Sequence, residues 1–214
     1  MAVMKKILLC LVVCFTASVA QAQKLEFGVN GGLTNYSVHN TYNGVQYMDA
    51  THFQSSVIAP LAVIHLSLLC CKYQFGLSLG YQAINYKAQF MPEMPVIGLA
   101  IPYVVKFQYH DVPLQLFANR IFSKGQCHFY GGLFAGVIYE NVQTEVRSPY
   151  EAPYKLTQNS VHAAAGLQAG IARTITKHIG IDAGVQASFS SFPPGGLDKN
   201  NLTFPISAGI YYKL

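Results

Sequence analysis

The chain has 214 residues, of which 51% are hydrophobic and only 11% are charged, and its mean hydropathy is +0.27. A typical soluble domain carries about 25% charged residues, so this composition indicates a surface that contacts something other than water. The formal net charge of +5 includes two lysines near the start, Lys5 and Lys6, and no basic stripe points to a nucleic-acid partner.

The first residues have the anatomy of a secretory signal peptide. Lys5 and Lys6 precede an apolar run over residues 7–15, and small residues then lead to Ala20-Gln21-Ala22. This order of charged, apolar and small-residue segments predicts cleavage after Ala22. We therefore expect a signal peptide at residues 1–22 and an outer-membrane β-barrel domain at residues 23–214, a length that suits a single barrel.

Beyond that segment the sequence lacks the roughly 18 continuous apolar residues that a spanning helix needs. The densest apolar run, residues 57–69, is interrupted by Pro60, His65 and Ser67. A closed β-barrel is the other structure that satisfies its backbone hydrogen bonds within lipid. The predicted fold class is therefore all-β: a single antiparallel up-and-down transmembrane β-barrel of eight strands. A secreted, soluble β-sandwich is the alternative, because its strands also alternate.

In chain order the sequence predicts strands at residues 24–38, 54–68, 73–87, 103–117, 127–140, 160–173, 178–190 and 202–214. The first, third, sixth, seventh and eighth alternate cleanly between apolar and small or polar residues, as strands with a lipid face and a lumen face do. The other three have uncertain registers. In the fourth, Phe107 and Tyr109 are apolar at odd positions, whereas Leu114 and Leu116 are apolar at even ones. This change of phase predicts a β-bulge near Pro113, which cannot donate to the ladder.

The connections between the predicted strands are alternately long and short. Four longer loops fall at one end, and three shorter turns and both termini fall at the other, which is the asymmetry of an outer-membrane barrel. Turn formers in the long loops include Asn43-Gly44 and residues 193–196. Tyrosines near the predicted strand ends are candidates for aromatic belts at the lipid interfaces: Tyr36, Tyr73, Tyr86, Tyr103, Tyr139 and Tyr212.

Four segments of the mature chain form a recognisable pattern, in which glycine and aromatic residues recur: residues 27–33 (FGVNGGL), 112–116 (VPLQL), 129–136 (FYGGLFAG) and 208–212 (AGIYY). With them, the chain resembles the small porin-like outer-membrane β-barrel family of Bacteroidetes-type bacteria. The resemblance implies an eight-stranded barrel in the outer membrane and carries over no catalytic signature. One departure is the last residue, Leu214, where such strands often end in an aromatic that the barrel-assembly machinery recognises.

One catalytic pattern occurs, since Gly76-Leu77-Ser78-Leu79-Gly80 matches the G-x-S-x-G of serine hydrolases. That chemistry needs a sharp strand-to-helix turn, whereas Ser78 lies in the middle of a predicted strand, so packing is the favoured interpretation. His65 and His162 are expected to point into the lumen as ordinary polar residues. His110 and Asp111 are neighbours on a strand and are expected on opposite faces, which disfavours a proton relay.

We therefore predict no catalytic, cofactor-binding or metal-binding residues, and no enzyme activity. Cys70, Cys71 and Cys127 map to predicted short turns at one end of the barrel. A disulfide from Cys127 to Cys70 or Cys71 and three free thiols are both compatible with that placement.

The predicted lumen face is polar. An eight-stranded barrel has an interior only wide enough for side chains, so the sequence predicts a lumen plugged by interlocking polar residues. The candidates are Lys24, Glu26, Asp182 and Lys213, with Gln74, Gln82, Gln168 and Gln186.

The favoured functional hypothesis is a non-enzymatic outer-membrane protein with a structural or binding role in its external loops. Alternatives are a narrow solute channel, an accessory barrel in protein secretion and an outer-leaflet lipid-modifying enzyme. The expected partners are outer-membrane lipid and the barrel-assembly machinery; an external partner or solute is not indicated by any motif. Candidate contact residues in the loops are Tyr42, Tyr47, Phe90, Tyr150 and Tyr154.

Overall fold

The structure is a computed structural model that describes residues 24–37, 48–53, 56–92, 103–122, 125–147, 152–191 and 202–214. The predicted signal peptide at residues 1–22 lies outside these ranges, so its cleavage stays a prediction. Among the described residues there is no helix long and apolar enough to cross a membrane. The strands are β1 (Lys24–Ser37), β2 (Met48–Phe53), β3 (Ser56–Cys70), β4 (Tyr73–Pro92), β5 (Tyr103–Ile121), β6 (Cys127–Arg147), β7 (Tyr154–Thr174), β8 (Ile179–Ser190) and β9 (Leu202–Lys213).

The strands form one closed antiparallel barrel with eight positions around its wall. Each strand from β3 to β8 pairs with the next, and β1 closes the ring by pairing with both β3 and β9. β2 precedes β3 in the chain and, like β3, pairs with β4. The two strands therefore share one position in the barrel wall. The predicted eight-stranded up-and-down barrel is confirmed.

Side chains alternate between the lumen and the outside along every wall position. The inward residues are even-numbered on β1, β4, β6, β7 and β8 and odd-numbered on β3, β5 and β9. The facing predicted for the five clean segments is confirmed, and so is the inward orientation of His65 and His162. Alternation of this kind follows from the pleat, which sends successive side chains to opposite faces.

The predicted β-bulge in β5 is wrong. The pairs Leu79↔Leu114 and Gln82↔Asp111 belong to one unshifted register, and pairing is missing only beside Pro113. A proline removes a ladder hydrogen bond because it has no N–H, but it does not by itself insert a residue. The apparent change of phase has another cause: Phe107 and Tyr109 are apolar but lie on the inward face, where they are buried at 5% and 4% exposure.

The two ends of the barrel differ. Short turns at residues 71–72 and 175–178, together with the end of β5 and the start of β6, lie at one end, where the N–H of Leu214 donates to the carbonyl of Leu25 (2.8 Å). We call this the short-turn end and the opposite one the long-loop end. The connections alternate in length as predicted, but the loop predicted at residues 141–159 is wrong, because β6 continues to Arg147 and β7 begins at Tyr154. β4 to β7 have 19–21 residues, whereas β8 and β9 have 12 each. β7 pairs with β8 only from Ala164 onward, so these long strands extend the wall at the long-loop end.

Tyrosine rings pack directly on glycines inside the barrel. Tyr211 lies opposite Gly180 in the β8–β9 register, and Tyr130 lies opposite Gly170 in the β6–β7 register. A Cβ atom at Gly180 would lie 2.2 Å from the Tyr211 ring, and one at Gly170 would lie 2.4 Å from the Tyr130 ring. These inward glycines are therefore required by the rings that cover them.

Candidate functional site

The barrel interior contains a buried ion pair near the short-turn end. The Nζ atom of Lys213 lies 3.3 Å from an Oε atom of Glu26, and the two side chains are 13% and 6% exposed. Lys213 also donates to the Thr174 hydroxyl (3.1 Å), and the Gln74 amide donates to Glu26 (3.3 Å). A buried charge is tolerated when it is paired and hydrogen-bonded in this way.

A chain of side-chain amides continues from this pair across the lumen. Asn119 donates to Gln74 (3.0 Å), Gln168 donates to Asn119 (2.7 Å) and Gln186 donates to Gln168 (3.1 Å). The contacts therefore link β4, β5, β7 and β8. On the other side, Asn30 donates to Asp182 (2.7 Å).

Most residues predicted to interlock are thus brought together, although Gln82 lies further along β4 and Lys24 is exposed at the short-turn end. Asn119 was not among the candidates, because the fourth strand was predicted to end at residue 117, whereas β5 continues to Ile121.

The interlocked core does not fill the lumen. A cavity of about 130 Å³ remains, bordered by small inward residues such as Ser78, Gly80, Gly184 and Ser188. At roughly 10–15 Å³ per water centre, it has room for on the order of ten water molecules. The predicted interlocking residues therefore cross the lumen but leave a polar, water-sized space between the small side chains, and the plugged lumen stays a prediction.

A second buried cluster lies toward the long-loop end. The Nε2 atom of His162 lies 2.9 Å from the Ser160 hydroxyl and 3.3 Å from a Glu140 carboxylate oxygen. Ser160 also donates to that same oxygen (3.3 Å), and Asp111 is directly opposite Glu140 in the β5–β6 register. Glu140 and His162 both line the cavity.

The geometry of this cluster differs from that of a nucleophile relay. In a Ser-His-acid relay the two ring nitrogens have separate partners, one the hydroxyl and the other the carboxylate. Here the Ser160 hydroxyl and the Glu140 carboxylate both contact Nε2 of His162. The arrangement satisfies buried polar groups. Sequence reasoning missed it because Glu140 ends a predicted strand of uncertain register, so its neighbours across the sheet could not be assigned.

The G-x-S-x-G segment forms regular strand. Ser78 lies within β4 opposite His65 on β3 and Gln115 on β5, with ladders on both sides. No strand-to-helix turn exposes its hydroxyl. His110 and Asp111 point to opposite faces, as predicted: His110 contacts the Tyr81 hydroxyl outside the barrel (2.7 Å), whereas Asp111 is 5% exposed and faces the lumen.

The three described cysteines, Cys70, Cys71 and Cys127, are not disulfide-bonded. Cys70 and Cys71 lie at the β3–β4 turn, and Cys127 begins β6 opposite Arg173 of β7. The disulfide considered from the sequence is therefore not formed. Within the described ranges, no three His, Cys, Asp or Glu residues are grouped as metal ligands.

Aromatic side chains mark the edges of the apolar outer surface. Tyr73 and Tyr212 lie outward at the short-turn end, and Tyr139 lies outward toward the long-loop end, each 45–48% exposed. This fits the predicted belts; Tyr36, Tyr86 and Tyr103 lie in β1, β4 and β5. Of the predicted loop contacts, Tyr154 begins β7 and is exposed, and Phe90 lies in β4. Tyr42, Tyr47 and Tyr150 fall outside the described residues, as do Asn43-Gly44 and residues 193–196.

No family model matches this sequence, and no curated protein matches it. Among solved structures, the chain is similar to a major outer membrane protein from Thermus thermophilus, with a TM-score of 0.48, 11% identity, and 89% of this chain and 99% of that chain covered. It is also similar to Neisserial surface protein A (TM-score 0.46, 12% identity, 89% and 97% covered) and to OprG from Pseudomonas aeruginosa (0.44, 15%, 91% and 98%).

The identities are too low to indicate a function. The resemblance to the Bacteroidetes-type family stays a prediction, and the proposals below rest on the residues of this chain.

Proposed function

We propose that this chain is an integral outer-membrane protein without catalytic activity, whose extended wall and connections at the long-loop end form a binding surface. The observation that carries the proposal is a continuous apolar band on the outside of a closed barrel. Large apolar side chains project outward from every wall position, for example the following, which are 42–62% exposed: Val29, Ile64, Leu79, Leu116, Leu133, Leu167, Val185 and Ile206.

The band supports a lipid environment over a soluble β-sandwich. Soluble monomers rarely expose contiguous apolar patches larger than a few hundred Å². A sandwich packs its apolar face against a second sheet, whereas the apolar face here is the outer one and the polar face is enclosed. Closure also leaves every barrel strand paired on both sides, which is the condition for a β-structure in lipid.

The decisive measurement is heat-dependent migration on a detergent gel, combined with fractionation of the expressing cells. We expect the protein in the outer-membrane fraction and a faster band without heating, because a closed barrel stays folded in detergent. Recovery of the protein in the soluble periplasmic fraction, with one band before and after heating, would contradict the proposal.

The polar clusters support the absence of catalysis. Ser78 is held between two strand partners, and Ser160 and Glu140 share one nitrogen of His162. The Ser160 contacts therefore differ from the arrangement of nucleophilic catalysis, in which the hydroxyl and the carboxylate contact different ring nitrogens of the histidine. Mass spectrometry of outer-leaflet lipid from cells with and without the gene tests this directly, and a change of acyl chains that depends on Ser160 would overturn it.

A narrow solute channel is the second candidate, and the cavity of about 130 Å³ favours it. Because the amide chain and the Glu26–Lys213 pair cross the interior, we expect no large, stable conductance steps in planar bilayers. Swelling of liposomes in small neutral solutes, at rates above those of protein-free liposomes, would support the channel over the binding protein.

A further inference from the structure

A row of charged side chains crosses three strands on the outside of the extended wall. Lys106 on β5 is directly opposite Glu145 on β6, and Glu145 is directly opposite Lys155 on β7. All three occupy positions of their strands from which side chains point outward. Side chains at directly opposite positions have Cβ atoms about 4.5–5.5 Å apart, so the row is about 10 Å wide.

The row carries excess positive charge. Arg147, two residues beyond Glu145 on the same face, places Nε 2.6 Å from the Glu145 carboxylate. The hydrogen bond from Arg147, together with the charges of Arg147, Lys106 and Lys155, holds the pKa of Glu145 below its usual value of 4.5. One carboxylate therefore meets three cations, and Lys87 holds the β4 position opposite Lys106. We call Lys106, Glu145, Arg147 and Lys155 the cationic row.

Neutral amides fill the surface between the cationic row and the apolar band. Asn141 donates to Asn159 (2.6 Å), and Gln143 donates to Asn141 (3.4 Å). Gln108 and Thr157 are exposed on the flanking strands. Amide and hydroxyl groups of this kind both donate and accept hydrogen bonds, as sugar hydroxyls do. Below them lie the exposed rings of Tyr81 and Tyr139.

The height of the cationic row above the membrane favours one class of partner. Glu145 lies six residues beyond Tyr139. Six residues rise about 20 Å along a strand, or about 15 Å along the axis of a barrel whose strands tilt by about 40°. The headgroup layer of a phospholipid bilayer is only about 5–8 Å thick on each side. A phospholipid phosphate therefore lies below the row, whereas the saccharide of a glycolipid reaches it.

We propose that the outer surface of β5, β6 and β7 binds the phosphorylated saccharide of an outer-leaflet glycolipid. The amides contact the sugar hydroxyls, and the cationic row binds phosphate groups of the saccharide. The inference rests on the proposed outer-membrane location, because only there do the row and a glycolipid headgroup meet at this height.

The test uses the full mature barrel in nanodiscs of phosphatidylethanolamine and phosphatidylglycerol. Rough lipopolysaccharide, which carries a phosphorylated core, and the same material after chemical dephosphorylation are the membrane probes; inositol hexaphosphate is the soluble one. The variant K106Q/R147Q/K155Q removes the three cations. We expect its affinity for phosphorylated lipopolysaccharide to fall roughly ten- to hundredfold, since a basic residue near an anionic surface contributes on the order of tenfold at most.

The matched control is K72Q/R120Q/R173Q, which removes three exposed cations at the short-turn end. It should bind within about twofold of the natural protein. The variant E145Q should change the affinity in the opposite direction. Because it removes the one carboxylate of the row, it should bind phosphorylated lipopolysaccharide more tightly. Dephosphorylated lipopolysaccharide should bind the natural protein and K106Q/R147Q/K155Q alike.

Equal binding of phosphorylated lipopolysaccharide by the natural protein and K106Q/R147Q/K155Q overturns the proposal, as does an equal loss in the short-turn control. If the natural protein binds inositol hexaphosphate as tightly as phosphorylated lipopolysaccharide, or more tightly, the assignment to a glycolipid is overturned. Each variant is first checked for heat-dependent migration. Failure of the proposed outer-membrane function appears there, as a natural protein that shows no such migration, and is thereby separated from failure of glycolipid binding.

Discussion

At the scale of single residues, the lumen is organised around the Glu26–Lys213 pair, which lies 3.3 Å apart and is almost completely buried. The acid belongs to the first strand and the lysine to the last. Each charge has hydrogen-bonding neighbours, Gln74 for the acid and Thr174 for the lysine, so loss of one partner leaves the other charge in a site shaped for a pair.

We predict that Lys213→Met lowers the free energy of unfolding by about 3–5 kcal/mol, because it leaves the Glu26 carboxylate buried without its counter-charge. Urea unfolding of the barrel in lipid vesicles measures the change. The double variant E26Q/K213M should be more stable than K213M alone. Lys177→Met, at an exposed turn, serves as the control and should change stability by less than about 0.5 kcal/mol. Equal losses for K213M and K177M would show that the pair does not stabilise the barrel.

A second residue-scale prediction concerns Glu145, whose pKa is lowered first by the hydrogen bond from Arg147 and then by the surrounding cations. The stabilisation from this contact is present above the unfolded pKa, near 4.5, and is lost as the pH falls through the lower folded pKa. In R147Q the titration midpoint of Glu145 should rise toward 4.5. Carbon NMR of the labelled carboxyl group in micelles measures the midpoint. An unchanged midpoint would show that the Arg147 contact does not lower the pKa of Glu145.

At the scale of strands, the inward glycines decide where neighbouring strands can carry aromatic rings. Gly180 and Tyr211 form one such pair between β8 and β9. Gly31 of β1 provides a contrast, because a Cβ atom there would meet nothing within 4 Å.

Gly180→Ala should therefore destabilise the barrel by about 1–3 kcal/mol, the usual cost of overpacking, since its Cβ would lie 2.2 Å from the Tyr211 ring and 2.7 Å from the Arg173 carbonyl. Gly31→Ala should change stability by no more than about 0.5 kcal/mol. Urea midpoints of the two variants in the same vesicles provide the comparison. Similar midpoints would mean that the ring moves aside without cost.

The extended β6–β7 hairpin should be separable from the barrel. Val142 and Gln158 are a register pair, and β7 does not pair with β8 before Ala164. Deleting residues 143–157 and joining Val142 to Gln158 by an Asn-Gly turn restores a two-residue hairpin. We expect the shortened protein to keep its heat-dependent gel migration and to lose lipopolysaccharide binding. Loss of the gel shift would show that the projecting strands are needed for folding.

Much of the strand arrangement could be predicted from the sequence, because alternation reports the face of each side chain directly. It failed in β5, where Phe107 and Tyr109 are apolar and yet point inward, so apolar character alone assigned them to lipid. The sequence also could not place side chains next to one another across strands. The contacts of Glu140 with Ser160 and His162, and the cationic row, depend on register, which is set by packing around the whole ring.

At the scale of the whole molecule, the barrel is closed by β1 and β9, where Gly31 is opposite Ala208 on the outward face. Opposite residues of antiparallel strands have Cα atoms about 4.5–5.5 Å apart, which suits a disulfide. In a background with Cys70, Cys71 and Cys127 changed to Ser, the pair G31C/A208C should cross-link on mild oxidation. The pair G31C/A183C spans one strand more and should not. Mass spectrometry of the oxidised protein distinguishes them, and cross-linking of both pairs would contradict a fixed closure.

The same seam governs the order in which the chain can fold. β1 is the first described strand and β9 the last, so their pairing joins the most distant parts of the sequence. Contacts between such distant segments carry the largest loop-closure cost and form slowly. Every other pairing joins strands that are close in the sequence, whereas β1 can pair with β9 only after the final strand is in place. Until then the growing sheet has two unpaired edges, and such edges can pair with other chains and aggregate.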